Sequence, residues 1–146
     1  MNVYSKKSFA QLCTAEQNLR HLFTSILPFY DHTIIEGHRE KEAQNRAVEE
    51  GRSKLSWPNG KHNADPSRAV DVSPHPVEWP TVALPVEENE RRIRRFYHFG
   101  GFVEGFAAAI GTSVRWGGDW DQDRDLFDQK FNDLVHFELG RIRETI

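Results

Sequence analysis

Two stretches of the chain carry side chains suited to hydrolytic chemistry. Residues 60–74 contain His62 and Asp71, and residues 133–139 contain Asp133, His136 and Glu138. Two imidazoles and a carboxylate are a reasonable ligand set for zinc. A catalytic zinc ion takes three protein ligands in a tetrahedral arrangement and leaves the fourth position to water. Asp133, three residues before His136, supplies a spare carboxylate that a turn can bring to such a water for proton transfer. Spacing alone leaves the matter open. A His-x8-Asp pair is not a compact zinc signature, there is no His-Glu-x-x-His, and a lone histidine is often an ordinary surface residue.

The elements that must position these groups follow from periodicity. Leu12, Leu19, Leu22, Phe23, Ile26 and Leu27 recur at helical spacing, which predicts one helix with Thr14 as the place where it can break. Ser8 with Gln11 and Thr14 with Gln17 both fit a capping box. The β-branched run centred on 33–35 predicts a strand over 31–36, and 40–50 a polar surface helix closed by Gly51. Residues 51–85 are rich in proline and loop-like, with a strand only at 69–72; a connection this long is usually functional.

Glu87 and Glu88 open a long helix whose apolar face runs through Ile93, Phe96, Tyr97, Val103, Phe106, Ala107 and Ile110. The Gly100-Gly101 pair inside it predicts close packing or a bend. Residues 113–116 form a short strand. Residues 134–139 alternate as a strand does, with Val135, Phe137 and Leu139 on one face and His136 and Glu138 on the other. Two strands of one sheet would then present Asp71 and His136 side by side, with His62 folded over them by its loop. Asp119, Asp121, Asp123 and Asp125 alternate like a calcium loop, but glycine is missing at the sixth position and no Glu closes the run; it reads as a solvated turn.

Composition excludes several classes. A chain of 146 residues with 28% charged and 38% hydrophobic content is one globular domain able to build its own core. A net charge of −3 without a basic stripe gives no case for nucleic acid. The longest apolar run, 102–110, is interrupted by Glu104 and Gly105, so no membrane insertion is expected. Cys13 is the only cysteine, which rules out an intrachain disulfide and a cysteine-rich zinc site. The N-terminus has no apolar signal region, so the chain reads as cytoplasmic at synthesis.

Five blocks taken together resemble a known family. They are 36–39 (Glu-Gly-His-Arg), 53–62 (Ser-Lys-Leu-Ser-Trp-Pro-Asn-Gly-Lys-His), 66–74 (Pro-Ser-Arg-Ala-Val-Asp-Val-Ser-Pro), 115–120 (Arg-Trp-Gly-Gly-Asp-Trp) and 133–139 (Asp-Leu-Val-His-Phe-Glu-Leu). In this order they look like the zinc D-alanyl-D-alanine carboxypeptidase and L-alanyl-D-glutamate endopeptidase superfamily, in its phage endolysin branch. The resemblance implies an α+β domain with helices packed on a short, mainly antiparallel sheet. It makes His62, Asp71 and His136 ligands of Zn2+, Asp133 the acid/base group, and Arg39 the cation that neutralises charge on the scissile carbonyl. Ser67, Arg68 and Trp116 become candidate substrate-binding residues, and Glu138 a residue that orients a ligand.

The implied activity is hydrolysis of peptidoglycan stem peptides at the L-alanyl-D-glutamate bond, by a monomeric single domain spanning 1–146 without a wall-binding module. Such an enzyme would reach the wall of the producing bacterium after holin-type release. A D-alanyl-D-alanine carboxypeptidase or dipeptidase, and a non-catalytic zinc-containing wall-binding domain, are the alternatives. The sequence departs from the family pattern at Gly60, where serine is common, and at Gln122 and Arg124, where glycine is common.

Overall fold

Val70 and Val72 on one strand and Phe137 on its neighbour alternate with Asp71, His136 and Glu138, and this period of two decides which face of the sheet is buried. In the computed structural model, which describes residues 1–140, the elements in chain order are α1 (Lys6–Cys13), α2 (Gln17–Ile26), β1 (His32–Glu36), α3 (Lys41–Glu49), a 3₁₀ turn (Lys61–Asn63), β2 (Ala69–Pro74), α4 (Val86–Ala109), β3 (Val114–Trp116) and β4 (His136–Leu139). The four strands form one sheet in the order β1-β2-β4-β3, with every neighbouring pair antiparallel. The α+β architecture expected from the sequence is the one observed.

The apolar face of the sheet packs against α2 and α4. Phe137 lies edge-on to Phe23 of α2 and to Phe99 of α4, with ring centroids 5.5 and 5.9 Å apart, and stacks beside Trp116. Leu19, Leu22, Phe23, Ile26, Phe99 and Val103 complete a core that excludes water. The polar residues of β2, β3 and β4 are thereby committed to the opposite face.

Several boundaries differ from the sequence expectation. The N-terminal helix is the exception: it breaks at the expected place, Thr14, because the chain there pairs with Ser67, the Glu16 amide donating to the Ser67 carbonyl (2.8 Å) and the Ser67 amide to the Thr14 carbonyl (2.9 Å). Its caps are Ser5, which accepts from the Ser8 amide, and Glu16, which accepts from the Asn18 amide. Ser8, expected as a cap, is buried and its Oγ instead accepts from the Ile34 amide at 2.6 Å. In α4, Phe99 belongs to the buried face, whereas Ile110 is 38% exposed. Strand β4 begins at His136 rather than 134, since the His136 amide turns back to the Asp133 carbonyl. Gly51 and Gly111, both at φ 74, follow α3 and α4 as expected of residues past a helix end.

Of the glycine pair inside α4, only Gly100 is required by packing. A Cβ there would meet the Trp116 ring at 2.4 Å, while one at Gly101 would meet nothing within 4 Å. Gly100→Ala should therefore destabilise the protein by about 1–3 kcal/mol through overpacking. Gly101→Ala should be neutral or stabilising by up to about 1 kcal/mol, since alanine is the better helix former. Urea unfolding of the two variants checks the contrast; equal effects would contradict this packing.

One buried histidine ties stability to pH. His32 Nδ1 donates to the Tyr30 carbonyl (2.8 Å), and its Nε2 lies 2.6 Å from the Tyr4 hydroxyl, beside the rings of Phe23 and Phe99. Burial lowers its pKa from 6.5 to about 4, outweighing the Tyr30 carbonyl and Asp31. The unfolded chain then binds this proton more readily than the folded one. Stability from this group is complete above pH ~6.5 and falls as pH drops toward 4, by about 3 kcal/mol. His32→Gln should remove that acid slope from the pH dependence of unfolding, read as the difference between variant and parent.

A candidate metal centre

The register of β2 and β4 sets Asp71 directly opposite His136 on the polar face of the sheet. His62 arrives from the 3₁₀ turn and is fastened to the end of β1 by backbone. The Arg39 amide donates to the His62 carbonyl (2.8 Å), and the Asn63 side chain donates to the Arg39 carbonyl (3.0 Å). The result is a tight triangle: His62 Nε2 to Asp71 Oδ1 3.1 Å, His62 Nε2 to His136 Nδ1 3.2 Å, and His136 Nδ1 to Asp71 Oδ1 3.4 Å. The three side chains brought together are those expected from the sequence.

The outward nitrogens define what faces inward. His62 Nδ1 lies 2.7 Å from the Gly37 carbonyl, and His136 Nε2 lies 2.9 Å from Glu138 Oε2. A carbonyl and a carboxylate can only accept, so each ring places its proton on the outer nitrogen and presents a lone pair to the centre. Two nitrogen lone pairs and a carboxylate oxygen at this separation attract only when a cation stands among them. A tetrahedral zinc with bonds of about 2.0–2.1 Å sets its ligands about 3.3 Å apart, so the donor set fits such an ion in both chemistry and spacing. Burial raises the Asp71 pKa, but the charges and hydrogen bonds of His62 and His136 outweigh it and hold the carboxyl well below the usual range. Burial lowers that of His136; hydrogen bonds to Asp71 and Glu138 more than reverse this and raise it to about 9, so without a metal a proton takes the inner face of this ring and a metal ion would displace it. Both shifts mark a place that attracts positive charge.

A second ring of residues holds the first. Glu138 is buried and is gripped by Arg115 opposite it on β3, through Nε (3.0 Å) and Nη2 (2.5 Å). Arg115 also lies over the Trp120 ring, and Trp120 tilts against His136 with centroids 5.3 Å apart. On the other side, Arg39 Nη2 donates to Glu36 (2.5 Å) and to Asp71 Oδ2 (3.5 Å), while Nη1 donates to Gln44 (3.1 Å). One Asp71 oxygen therefore faces the imidazoles and the other faces a fixed guanidinium. Arg39 is buried, at 7% exposure.

Asp133 lies in the turn before β4 and lines the same cleft, of about 590 Å³, as His62, Asp71, His136 and Arg39. Burial and the Asp71 charge raise its pKa, against the pull of His136, His62 and Arg39. Trp79, Trp120 and Phe131 form apolar walls of this cleft, and Lys54 and Lys61 stand at its edge.

Three residues expected to bind substrate lie elsewhere. Ser67 is fully buried, and its hydroxyl donates to the Ala69 carbonyl (2.7 Å). Trp116 is buried in the core, with its indole NH on the Leu134 carbonyl. Arg68 is exposed but does not border the cleft. Neither does His38, which donates to the Ala64 carbonyl, nor the exposed His75.

Sequence reasoning missed Gln44, which is buried and joins Arg39, Asn63, Ser53 and the Leu55 carbonyl. Its one signal was a place on the same edge of α3 as Ala47. At Gly60, a Cβ would meet Asn63 Oδ1 at 2.9 Å, so the missing hydroxyl coincides with a crowded turn.

A short antiparallel sheet with helices on one face and a buried His-Asp-His group on the other defines a small α+β domain with a candidate metal-binding site. Comparison with known proteins then gives the family. The model of the phage L-alanyl-D-glutamate peptidases matches residues 2–140, and the chain belongs to that family, whose members hydrolyse peptidoglycan stem peptides. Among solved structures, the L-Ala D-Glu endopeptidase ChiX of Serratia marcescens superposes with a TM-score of 0.62 at 22% identity, over 94% of this chain and 89% of that one. No curated protein sequence matches the chain.

The outer ring makes a direct prediction. If the His-Asp-His group holds a metal ion, Glu138→Ala should weaken its affinity for a divalent probe ion by about 10–100-fold, measured by competition with a chromophoric chelator, because His136 loses the acceptor that fixes its ring. An unchanged affinity in a folded variant would remove Glu138 from this role.

Proposed function

We propose that His62, Asp71 and His136 hold a zinc ion, and that Asp133 and Arg39 assist the attack of a water molecule on the L-alanyl-D-glutamate bond. The observation that carries this reading is the triangle of inward-facing donors in the same cleft as a spare carboxylate and a buried guanidinium. When bound, zinc would lower the pKa of a coordinated water to about 7 and polarise a carbonyl as a Lewis acid.

The chain's own residues supply the rest. Asp133, whose proton affinity is raised by burial and by Asp71, is suited to take a proton from the attacking water and return it to the leaving amine. Arg39 is held by Glu36, Gln44 and Asp71, and its fixed positive charge stands at the same end of the cleft. There it would balance negative charge developing on the scissile carbonyl, a term that is often the largest in catalysis. Trp79, Trp120 and Phe131 would shield the reacting groups from bulk water. Lys54 and Lys61 suit the free carboxylate that a D-glutamyl residue carries.

A D-alanyl-D-alanine carboxypeptidase would share this metal set, and the family match favours the endopeptidase. Access to the wall by holin-type release from the cytoplasm belongs to the same proposal. It is supported by the family.

Asp133→Ala should keep one equivalent of zinc and lose about 10²–10⁴-fold in hydrolysis, while His136→Ala should lose both. The measurements are metal content and mass spectrometry of digested peptidoglycan, with and without chelator. Full activity in Asp133→Ala would reassign the base, and release of free D-alanine without stem cleavage would overturn the bond assignment.

A further inference from the structure

Between β2 and α4 the chain runs through residues 75–85 without helix or strand, and from this strap Trp79 reaches the cleft. A surface connection of this kind moves unless it is tied down, and α4 ties it repeatedly. Arg95 donates to the Pro76 carbonyl (2.9 Å) and pairs with Glu78, which Arg91 also holds (2.8 Å). Arg92 donates to the Trp79 carbonyl (3.1 Å), and the Asn89 side chain accepts from the Thr81 amide (2.8 Å). Surface ion pairs add little stability one by one, but four side chains of α4 converging on residues 76–81 fix where the Trp79 ring stands. The ring itself is stacked on the buried Phe96, with planes 21° apart and centroids 6.0 Å apart.

The three aromatic walls of the cleft are not equivalent. Trp120 stacks beside Phe131 and leans on His136, with Arg115 over its ring, while Phe131 carries Lys54 over its own. Those faces are spent within the protein. Trp79 spends one face on Phe96 and is still 49% exposed, so the other is offered to whatever enters the cleft. A rigid aromatic face set in place beforehand binds at low entropic cost.

We propose that the outer face of Trp79 is a platform for the N-acetylmuramyl sugar that carries the stem peptide, an inference that rests on reading the cleft as an L-alanyl-D-glutamate endopeptidase site. In peptidoglycan the L-alanine of that bond is joined to the sugar through a lactyl group. An extended residue spans about 3.3–3.6 Å, so the pyranose begins only some two such lengths from the bond being cut, within reach of a side chain that lines the same cleft. A pyranose presents a flat face of C–H groups, apolar and slightly positive, which matches the negative face of an indole. The residues of the scissile bond offer nothing comparable, since alanine ends in a methyl group and glutamate in a carboxylate. The platform therefore suits the sugar and not the peptide. It would make the chain read the glycan end of its substrate as well as the bond itself.

Two synthetic substrates test this on the zinc-loaded chain, with products followed by mass spectrometry. One is a stem peptide joined through its lactyl group to N-acetylmuramic acid, and the other is the same lactyl-capped peptide without the sugar. The parent should favour the sugar-bearing substrate by about three- to tenfold in kcat/KM, mainly through KM, the size expected of one aromatic stacking contact. Trp79→Phe should keep most of this preference, because a ring face remains. Trp79→Leu, which keeps an apolar wall but no ring, should abolish it. A ratio taken within one preparation is insensitive to any loss of folded protein. Equal kcat/KM for the two substrates in the parent, or an unchanged preference in Trp79→Leu, would overturn the platform and leave the peptidase reading standing. Cleavage of neither substrate, or of a different bond, would overturn the peptidase reading and this proposal with it.

Discussion

Three electron-pair donors aimed at one another within 3.4 Å are the constraint on which the molecule turns. With neither a proton nor a metal ion among them, the lone pairs of His62, Asp71 and His136 would repel. They are kept in place because each is tied from behind: His62 by the Gly37 carbonyl, His136 by Glu138, and Asp71 by the guanidinium of Arg39. A preset cluster of this kind has already lost the side-chain freedom that a metal would otherwise have to remove. Its polarity is also balanced, since the carboxylates behind it carry their own cations, Glu138 with Arg115 and Glu36 with Arg39. Such partly buried charges are tolerable only as pairs, and removing one member strands the other.

The sheet makes this arrangement compatible with a stable core. Alternation along β2 and β4 sends Val70, Val72 and Phe137 into the helices and Asp71, His136 and Glu138 to the opposite face. A slip of one residue would bury the ligands and expose Phe137, so the same hydrophobic interaction that holds α2 and α4 to the sheet also fixes the register of the metal cluster. Gly100 belongs to this logic, because it lets α4 approach Trp116 closely enough to clamp β3 beside β4.

Much of this was legible in the sequence because it rests on period and residue type. The two strands, the pairing of Asp71 with His136 and the role of a glycine in α4 follow from alternation and from what a small residue permits. What was not legible depends on contacts between distant segments. The break at Thr14 was legible, but its cause was not, since Ser67, which pairs with Ala15, lies far along the chain. Gln44 looks like any residue of a polar helix until the loop around Ser53 and Asn63 folds onto it. Ser67 and Trp116 sit in blocks that resemble the family, yet their side chains serve packing, which motif matching does not separate from binding. Asp119 was misread for a related reason: an acidic run looks solvated unless the burial of one member is known.

The position of Asp133 follows from the same geometry. On β4 only Glu138 shares a face with His136, and it is consumed in orienting that ring and pairing with Arg115. A proton-transfer group for the cleft must therefore come from outside the strand, and the turn that starts it is the nearest backbone. There the Asp133 carbonyl accepts the His136 amide while the Asp133 amide reaches Gly117, so the carboxylate is placed by the loop and not by the sheet. Gly117 is indispensable to that turn, since a Cβ would meet the Asp133 carbonyl oxygen at 2.2 Å. The rigid sheet thus fixes two of the three candidate ligands, Asp71 and His136, and the loop fixes the Asp133 carboxylate beside them. Anything that orders or loosens the loop acts on the chemistry without touching the ligands.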